Sequence, residues 1–208
     1  VGKQCDTPYD CPFIRYCWPS GSAYPVQTLG GGKIRLGELI RDGYEDALTV
    51  PADRLTETQR RIQRITRTGR PELSADAARE IAALGFPRYY LDLETVAPAI
   101  PVWADTKPYD TLPVQWSCHF EPAPGRIEHC EFLDLTGAPP MRRLAESLIR
   151  ALGATGPVLM YSSYERRVIR ALQDRYPDLA AALAAIEARL VDLHAMTKRH
   201  YSHTAMAG

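Results

Sequence analysis

The sequence predicts an α/β protein built on a mixed sheet, and three observations carry that reading. Tyr89 to Val96, Val114 to Phe120 and Ile127 to Leu133 read as consecutive strands of a meander, with Pro124-Gly125 turning the last two. After the Pro139-Pro140 break the period changes. Leu144, Ala145, Leu148, Ile149 and Leu152 fall at helical spacing and stop at Gly153. The remainder alternates: a short strand from Val158 to Tyr161, helices from Tyr164 to Asp174 and Pro177 to Arg189, and a last strand from Leu190 to Leu193.

The portion before Tyr89 has a different texture. Residues 1–24 are rich in Cys, Pro, Tyr and Gly without sustained periodicity, so they read as an irregular cysteine-rich segment that something other than an apolar core must order. Residues 25–86 turn helical: Gly30-Gly31-Gly32 leads into Leu36, Leu39 and Ile40, and Thr56 to Thr68 carries Ile62 and Ile65 among arginines. We expect a thin helical connector here, ending in a helix from Ser74, a good N-cap, to Gly85, a good stop. The third part, residues 87–208, holds the sheet.

At 208 residues the chain supports one good core with a small appendage. Its 25 basic and 25 acidic residues cancel, so a nucleic-acid partner needs a local patch rather than a global field. The longest apolar run, around Leu179 to Ile186, is far short of the ~18 residues of a membrane span, and no secretory leader is present, so we expect an intracellular, cytoplasmic protein. The chain opens on Val1 and closes on Ala205-Met206-Ala207-Gly208, which caps no element. A segment of a longer polypeptide is expected.

Asp92 and Glu94 are the most informative residues. They sit two apart in Tyr90-Leu91-Asp92-Leu93-Glu94-Thr95, so a strand projects both from one face while Leu91, Leu93 and Thr95 take the other. Two like charges so close raise each other's pKa unless a cation intervenes, and magnesium or manganese suits oxygen donors. An isolated Asp-x-Glu also fits a solvent-facing edge pair. Here the apolar surroundings argue for a buried strand, and the loop from Pro98 to Pro108 can shape a cleft beside it. Glu165 follows a strand and lies in the first turn of the next helix, which fits either a third metal-facing carboxylate or a partner of the helix dipole. Asp192, inside Leu190-Val191-Asp192-Leu193, fits a supporting position behind the metal ligands, an edge residue or a buried hydrogen-bond acceptor.

The order Leu-Asp-x-Glu-Thr on a first strand, then a strand ending in Tyr161-Ser162-Ser163-Tyr164-Glu165, then a Val-Asp-Leu strand, resembles the DEDD exonucleases of ribonuclease H-like fold. It is most similar to the bacterial domain of unknown function family 2779, through Tyr90 to Thr95, Pro108-Tyr109, Gln115-Trp116-Ser117 and Tyr164-Glu165. The resemblance spans residues 87–208. It implies a metal-dependent 3'-5' exonuclease in which Asp92, Glu94 and Glu165 hold two Mg2+ or Mn2+ ions that activate water and stabilise the leaving oxygen. Single-stranded DNA or RNA is the implied substrate. Glu165 replaces the usual Asp with a side chain one methylene longer. The family's His or Tyr base and final Asp have no match before Gly208, so catalysis is expected to need residues further along the polypeptide.

Cys5, Cys11 and Cys17 are separated from one another by five residues, and the total of five cysteines argues against a disulfide framework. Three thiolates need a fourth ligand to hold zinc or an iron-sulfur cluster, and free structural thiols remain the other reading. The run from Gly2 to Trp18 resembles the C-terminal cysteine segment of RecB-like nucleases, including CRISPR-associated ones. That resemblance implies an iron-sulfur cluster closed by a cysteine upstream of Val1. Cys118 and Cys130 fall on separate strands and read as core thiols.

Arg60, Arg64 and Arg67 share a helical face that fits a phosphate track or a solvated surface paired with Glu57. Arg166, Arg167 and Arg170 adjoin Glu165 and are the expected nucleic-acid contacts, with Asp174 as an alternative partner. His194, His200 and His203 mimic metal spacing without another hard ligand and read as surface or edge residues, with contact to substrate by one of them as the other reading. Trp116 and Tyr109 fit base stacking, although a strand Trp more often joins a core. Two rivals to the nuclease reading stand: a non-catalytic nucleic-acid-binding or assembly module of the same fold, and a metal-stabilised adaptor.

Overall fold

The computed structural model describes residues 21–206 together with 9, 11–13 and 16. Contacts divide these into two compact units: the described residues up to Ala75 with those from His200 onward, and Asp76 to Arg199. Cys5 and Cys17 lie outside the described residues, and Cys11 carries a free, partly buried thiol, so the cysteine-cluster expectation falls largely beyond them.

The first unit is more than a connector. Helices α1 (Lys33–Arg41) and α2 (Glu57–Thr68) accompany short 3-10 turns at Val26–Leu29, Ala47–Thr49 and Ala52–Arg54. Val26, Leu29, Leu36, Leu39, Ala47, Val50 and Leu55 close into a core of their own. A capping box starts α2: the Gln59 N–H donates to the Thr56 hydroxyl, and the Thr56 N–H donates to the Gln59 side-chain Oε1. The buried face of α2 is partly polar. Gln63 Nε2 donates to the carbonyls of Ala47 and Val50 at 2.9 and 2.7 Å, and Gln59 Nε2 to that of Gly30 at 3.0 Å. These glutamines cap loop carbonyls that would otherwise be orphaned. A hydrophobic count does not see them, which is why residues 25–86 read as a thin connector.

Strand β1 (Glu72–Leu73) pairs antiparallel with Tyr201–Ser202, the last strand, and so returns the last described residues to this unit. By contacts the division of the described residues falls at 75/76. The basic face of α2 is tied down: Arg64 makes a two-pronged bond to Glu72, Arg60 pairs with Glu57 at 3.2 Å, and Arg67 donates to the Leu48 carbonyl.

The second unit opens with helix α3 (Ala77–Ala83), which starts after Asp76 rather than at Ser74. Its sheet has strands β2 (Arg88–Val96), β3 (Leu112–Ala123), β4 (Arg126–Leu133), β5 (Val158–Met160) and β6 (Leu190–Asp192) in the order β4-β3-β2-β5-β6. The first three form the expected antiparallel meander, while β5 runs parallel to β2 and β6 parallel to β5. The sheet is therefore mixed and five-stranded. Helices α4 (Met141–Leu152), α5 (Tyr164–Arg175) and α6 (Ala180–Glu187) flank it.

One sheet face carries the core. Tyr89, Leu91 and Leu93 of β2, with Trp116 and Cys118 of β3, pack against Leu144 and Leu148 of α4 and Val168, Ile169 and Leu172 of α5. Trp116 belongs here at 3% exposure, its Nε1 donating to the Ser147 hydroxyl. Cys118 and Cys130 face each other across β3 and β4 as free thiols, and burial pushes the Cys118 thiol up to about 12. Arg189 secures the end of α4, donating to the carbonyls of Leu152, Gly153, Thr155 and Gly156.

Leu193 is not the end of a strand but the start of a helix, α7 (Leu193–His200). The sequence conceals it because His, Thr, Lys and Arg interrupt the apolar period. Its signal is Asp192, whose Oδ1 accepts from the Ala195 N–H at 3.0 Å in the manner of an N-cap.

Candidate functional site

The sheet's connectivity marks one place for chemistry. From β2 the chain proceeds to β3 on one side, and β5 lies on the other, so the strand order reverses beside β2. In open α/β sheets ligands collect beyond the carboxyl ends of the parallel strands at such a switch point. Tyr89 is level with Val158 and Tyr90 with Leu159. Continuing that register sets Asp92 level with Tyr161, one residue past the end of β5. Met160 is in turn level with Asp192 at the end of β6. Asp92, at the middle of β2 but just past its pairing with β5, and Asp192, at the end of β6, thus flank the carboxyl end of β5.

The alternation expected of β2 holds, with one correction. Leu91 and Leu93 are buried while Asp92 and Glu94 are exposed, so the strand is buried on one face only and the pair occupies the open one. Asp92 lies opposite Ser117 and Glu94 opposite Gln115, and a bulge follows between Glu94 and Thr95. The bulge bends the strand end just beyond the acids.

Glu165 is the unusual member. The buried stripe of α5 reads Glu165, Val168, Ile169, Leu172, so a carboxylate occupies the slot where helical spacing calls for an apolar residue. It is 4% exposed, and its Oε2 accepts no hydrogen bond among the described residues. Burial pushes its carboxyl above the usual range. The charges of Asp92 and Asp192 push the same way, against an opposing hydrogen bond from its own backbone N–H. The structure therefore brings together Asp92, Glu165 and Asp192 as one electrostatic group, with Glu94 one position further along the open face. A buried carboxylate with an oxygen unpartnered among the described residues, facing like charges, is electrostatically unsatisfied, and a cation would relieve it.

Two local features hold this corner. Ser162 adopts φ 102°, unusual for a residue with a Cβ, in the tight turn between β5 and α5. Its hydroxyl accepts from the Tyr164 N–H at 3.3 Å. The Tyr164 hydroxyl is hydrogen-bonded to the Thr95 hydroxyl, tying the start of α5 to the end of β2 and fixing where Glu165 emerges. Sequence reasoning missed this bond, although Thr95 and Tyr164 both stood in the motifs it singled out.

The expected basic contacts divide. Arg166 and Arg170 both reach Glu187 on α6, at 3.5 and 2.7 Å, and Arg166 also donates to the Leu190 carbonyl. Their partner is Glu187 rather than Asp174, and they fasten α5 to α6 and β6. Arg167 is exposed and lies over the Tyr164 ring, 5.4 Å from its centroid. Tyr109 is 71% exposed at φ 63° in the loop after β2.

Among the described residues, no group of three or more His, Cys, Asp or Glu side chains is close enough to hold an ion by itself, and no helix is long and apolar enough to cross a membrane. Asp92 and Glu165 nevertheless fit magnesium, which is usually bound by one or two carboxylates completed by water and substrate phosphate.

The fold is a mixed α/β domain whose five-stranded sheet is flanked by helices and carries an acidic corner. The family described as "Domain of unknown function (DUF2779)" matches residues 89–208, and the chain belongs to that family. Comparison with curated proteins and with solved structures returns no match.

Proposed function

We propose that residues 87–208 belong to a ribonuclease H-like domain that hydrolyses nucleic-acid phosphodiester bonds with Mg2+ or Mn2+, as a 3'-5' exonuclease. The strand order, a three-stranded antiparallel meander continued by two parallel strands, supports the fold assignment. The observation that carries the function is Glu165, a buried carboxylate with an unpartnered oxygen beside Asp92.

In this reading Asp92 and Glu165 hold the ion, Glu94 lies beside them on the open face, and Asp192 stays behind as the cap of α7. When bound, the metal neutralises the phosphate and supplies an activated water. The chain's own contribution is placement. The Thr95–Tyr164 bond ties the start of α5, which carries Glu165, to the end of β2, and burial on the inner face of α5 keeps its carboxylate from being satisfied by solvent. Arg167 offers a positive charge to an approaching strand.

Calorimetric titration with Mn2+ tests the reading. Saturable binding to the wild type, lost in Asp92→Asn and in Glu165→Gln, is expected; binding that survives both substitutions refutes it. A second reading, a nucleic-acid-binding module of the same fold without catalysis, draws support from the lack of a three-donor group among the described residues. It predicts oligonucleotide binding with no Mn2+-dependent degradation.

A further inference from the structure

Tyr161 has no role in the reading above, yet its setting is unusual. It directly follows Val158, Leu159 and Met160, all buried, and is itself 65% exposed. The continued register places it level with Asp92, and it precedes the strained Ser162 turn. Its ring is not alone: the His194 imidazole, second residue of α7, lies 5.2 Å away centroid to centroid at 38°. Two aromatic rings from neighbouring strand ends thus stand together at the same carboxyl edge as Asp92 and Glu165.

At 65% exposure most of the Tyr161 side chain is open to solvent, and His194 is the ring packed beside it. A flat, apolar, hydrogen-bond-poor surface of that size suits the face of a nucleobase, and stacking of this kind is tolerant of sequence because every base has a π-face. The neighbouring carboxylates bar a free phosphate, so the polar part of the same nucleotide needs the cation that they attract. Base and phosphate then find complementary chemistry side by side.

We propose that Tyr161, backed by His194, forms a stacking platform for one base of a single-stranded nucleic acid. The proposal rests on the nucleic-acid reading above and adds the subsite that distinguishes an unpaired base from one held in a duplex. A duplex offers no free base face at this position.

Fluorescence anisotropy with a labelled single-stranded oligonucleotide of about ten nucleotides, in calcium, reads the platform. Tyr161→Ala and His194→Ala are each expected to weaken binding about 5- to 150-fold, the range for losing one stacked base, and Tyr161→Phe to restore most of the Tyr161→Ala loss. Nuclear magnetic resonance with adenosine in EDTA gives a second readout independent of the carboxylates: upfield ring-current shifts of the adenine H2 and H8 protons, absent in Tyr161→Ala. The proposal is overturned if the wild type binds no oligonucleotide, if Tyr161→Ala binds as the wild type does, or if Tyr161→Phe is as weak as Tyr161→Ala. Mn2+ calorimetry on the same proteins separates the two ideas. Tyr161-dependent binding without Mn2+ uptake removes the metal reading alone, and Mn2+ uptake without Tyr161 dependence removes the platform alone.

Discussion

Glu165→Gln is expected to stabilise the protein at neutral and alkaline pH while abolishing its response to manganese. The side chain is 4% exposed and its Oε2 lacks a partner among the described residues. Burial, then Asp92 and Asp192, hold its folded pKa above the ordinary value of 4.5. The folded state thus binds this proton more tightly than the unfolded chain does. The stability that protonation contributes is complete below 4.5 and is lost as pH rises through the raised folded value. Above that window the fold carries a buried charge beside two like charges, and glutamine removes the charge while keeping the shape.

An unpartnered buried polar group costs about 1–3 kcal/mol, more when charged, and the amide retains part of that cost. A net gain of about 1–2 kcal/mol follows, or on the order of 2–8 °C in Tm for a chain of this size. Thermal unfolding followed by circular dichroism from pH 4 to pH 8 checks it. The gap between variant and wild type should open at pH 8 and close toward pH 4, and millimolar Mn2+ should raise only the wild-type Tm. A variant that melts below the wild type at pH 8, or a gap equal at both ends of the range, would refute the reasoning.

Glu187→Ala should destabilise the second unit by about 1–3 kcal/mol in urea unfolding, because Arg166, Arg170 and Gln173 all converge on that carboxylate. If instead oligonucleotide affinity rises with no loss of stability, the two arginines are held in reserve for phosphate. Gly156→Ala should cost about 3 kcal/mol or more, since the added Cβ would lie 2.1 Å from the Pro87 carbonyl oxygen at a backbone φ of 87°; a chemical-denaturation midpoint equal to wild type would contradict that packing.

Much of the second unit was legible because period and punctuation agreed. Each strand of the meander carried its own alternation, and Gly153 stopped α4 where the apolar spacing ended. Short elements were not: β1 and the Tyr201–Ser202 strand have two residues each, too few to show any period, and α7 is announced only by its Asp192 cap. Similarly, the first unit's core depends on Gln59 and Gln63 reaching carbonyls 29 and 16 or 13 positions away, contacts that no local pattern encodes.

The sequence by itself determined that Asp92 and Glu94 share a strand face and that Glu165 opens a helix, because side-chain direction follows from backbone period alone. Which carboxylates meet was decided only by tertiary structure. Parallel pairing of β2, β5 and β6 sets three strand ends at one edge, and the packing of α5 drives Glu165 into the core stripe beside Asp92 and Asp192 while Glu94 stays outside that group. The arginines show the same division. Their positions beside Glu165 were plain in the sequence, but only folding brought Glu187 within reach of Arg166 and Arg170 and set Arg167 over the Tyr164 ring. Charge pairing across elements depends on distance in space, and one-dimensional spacing does not record it.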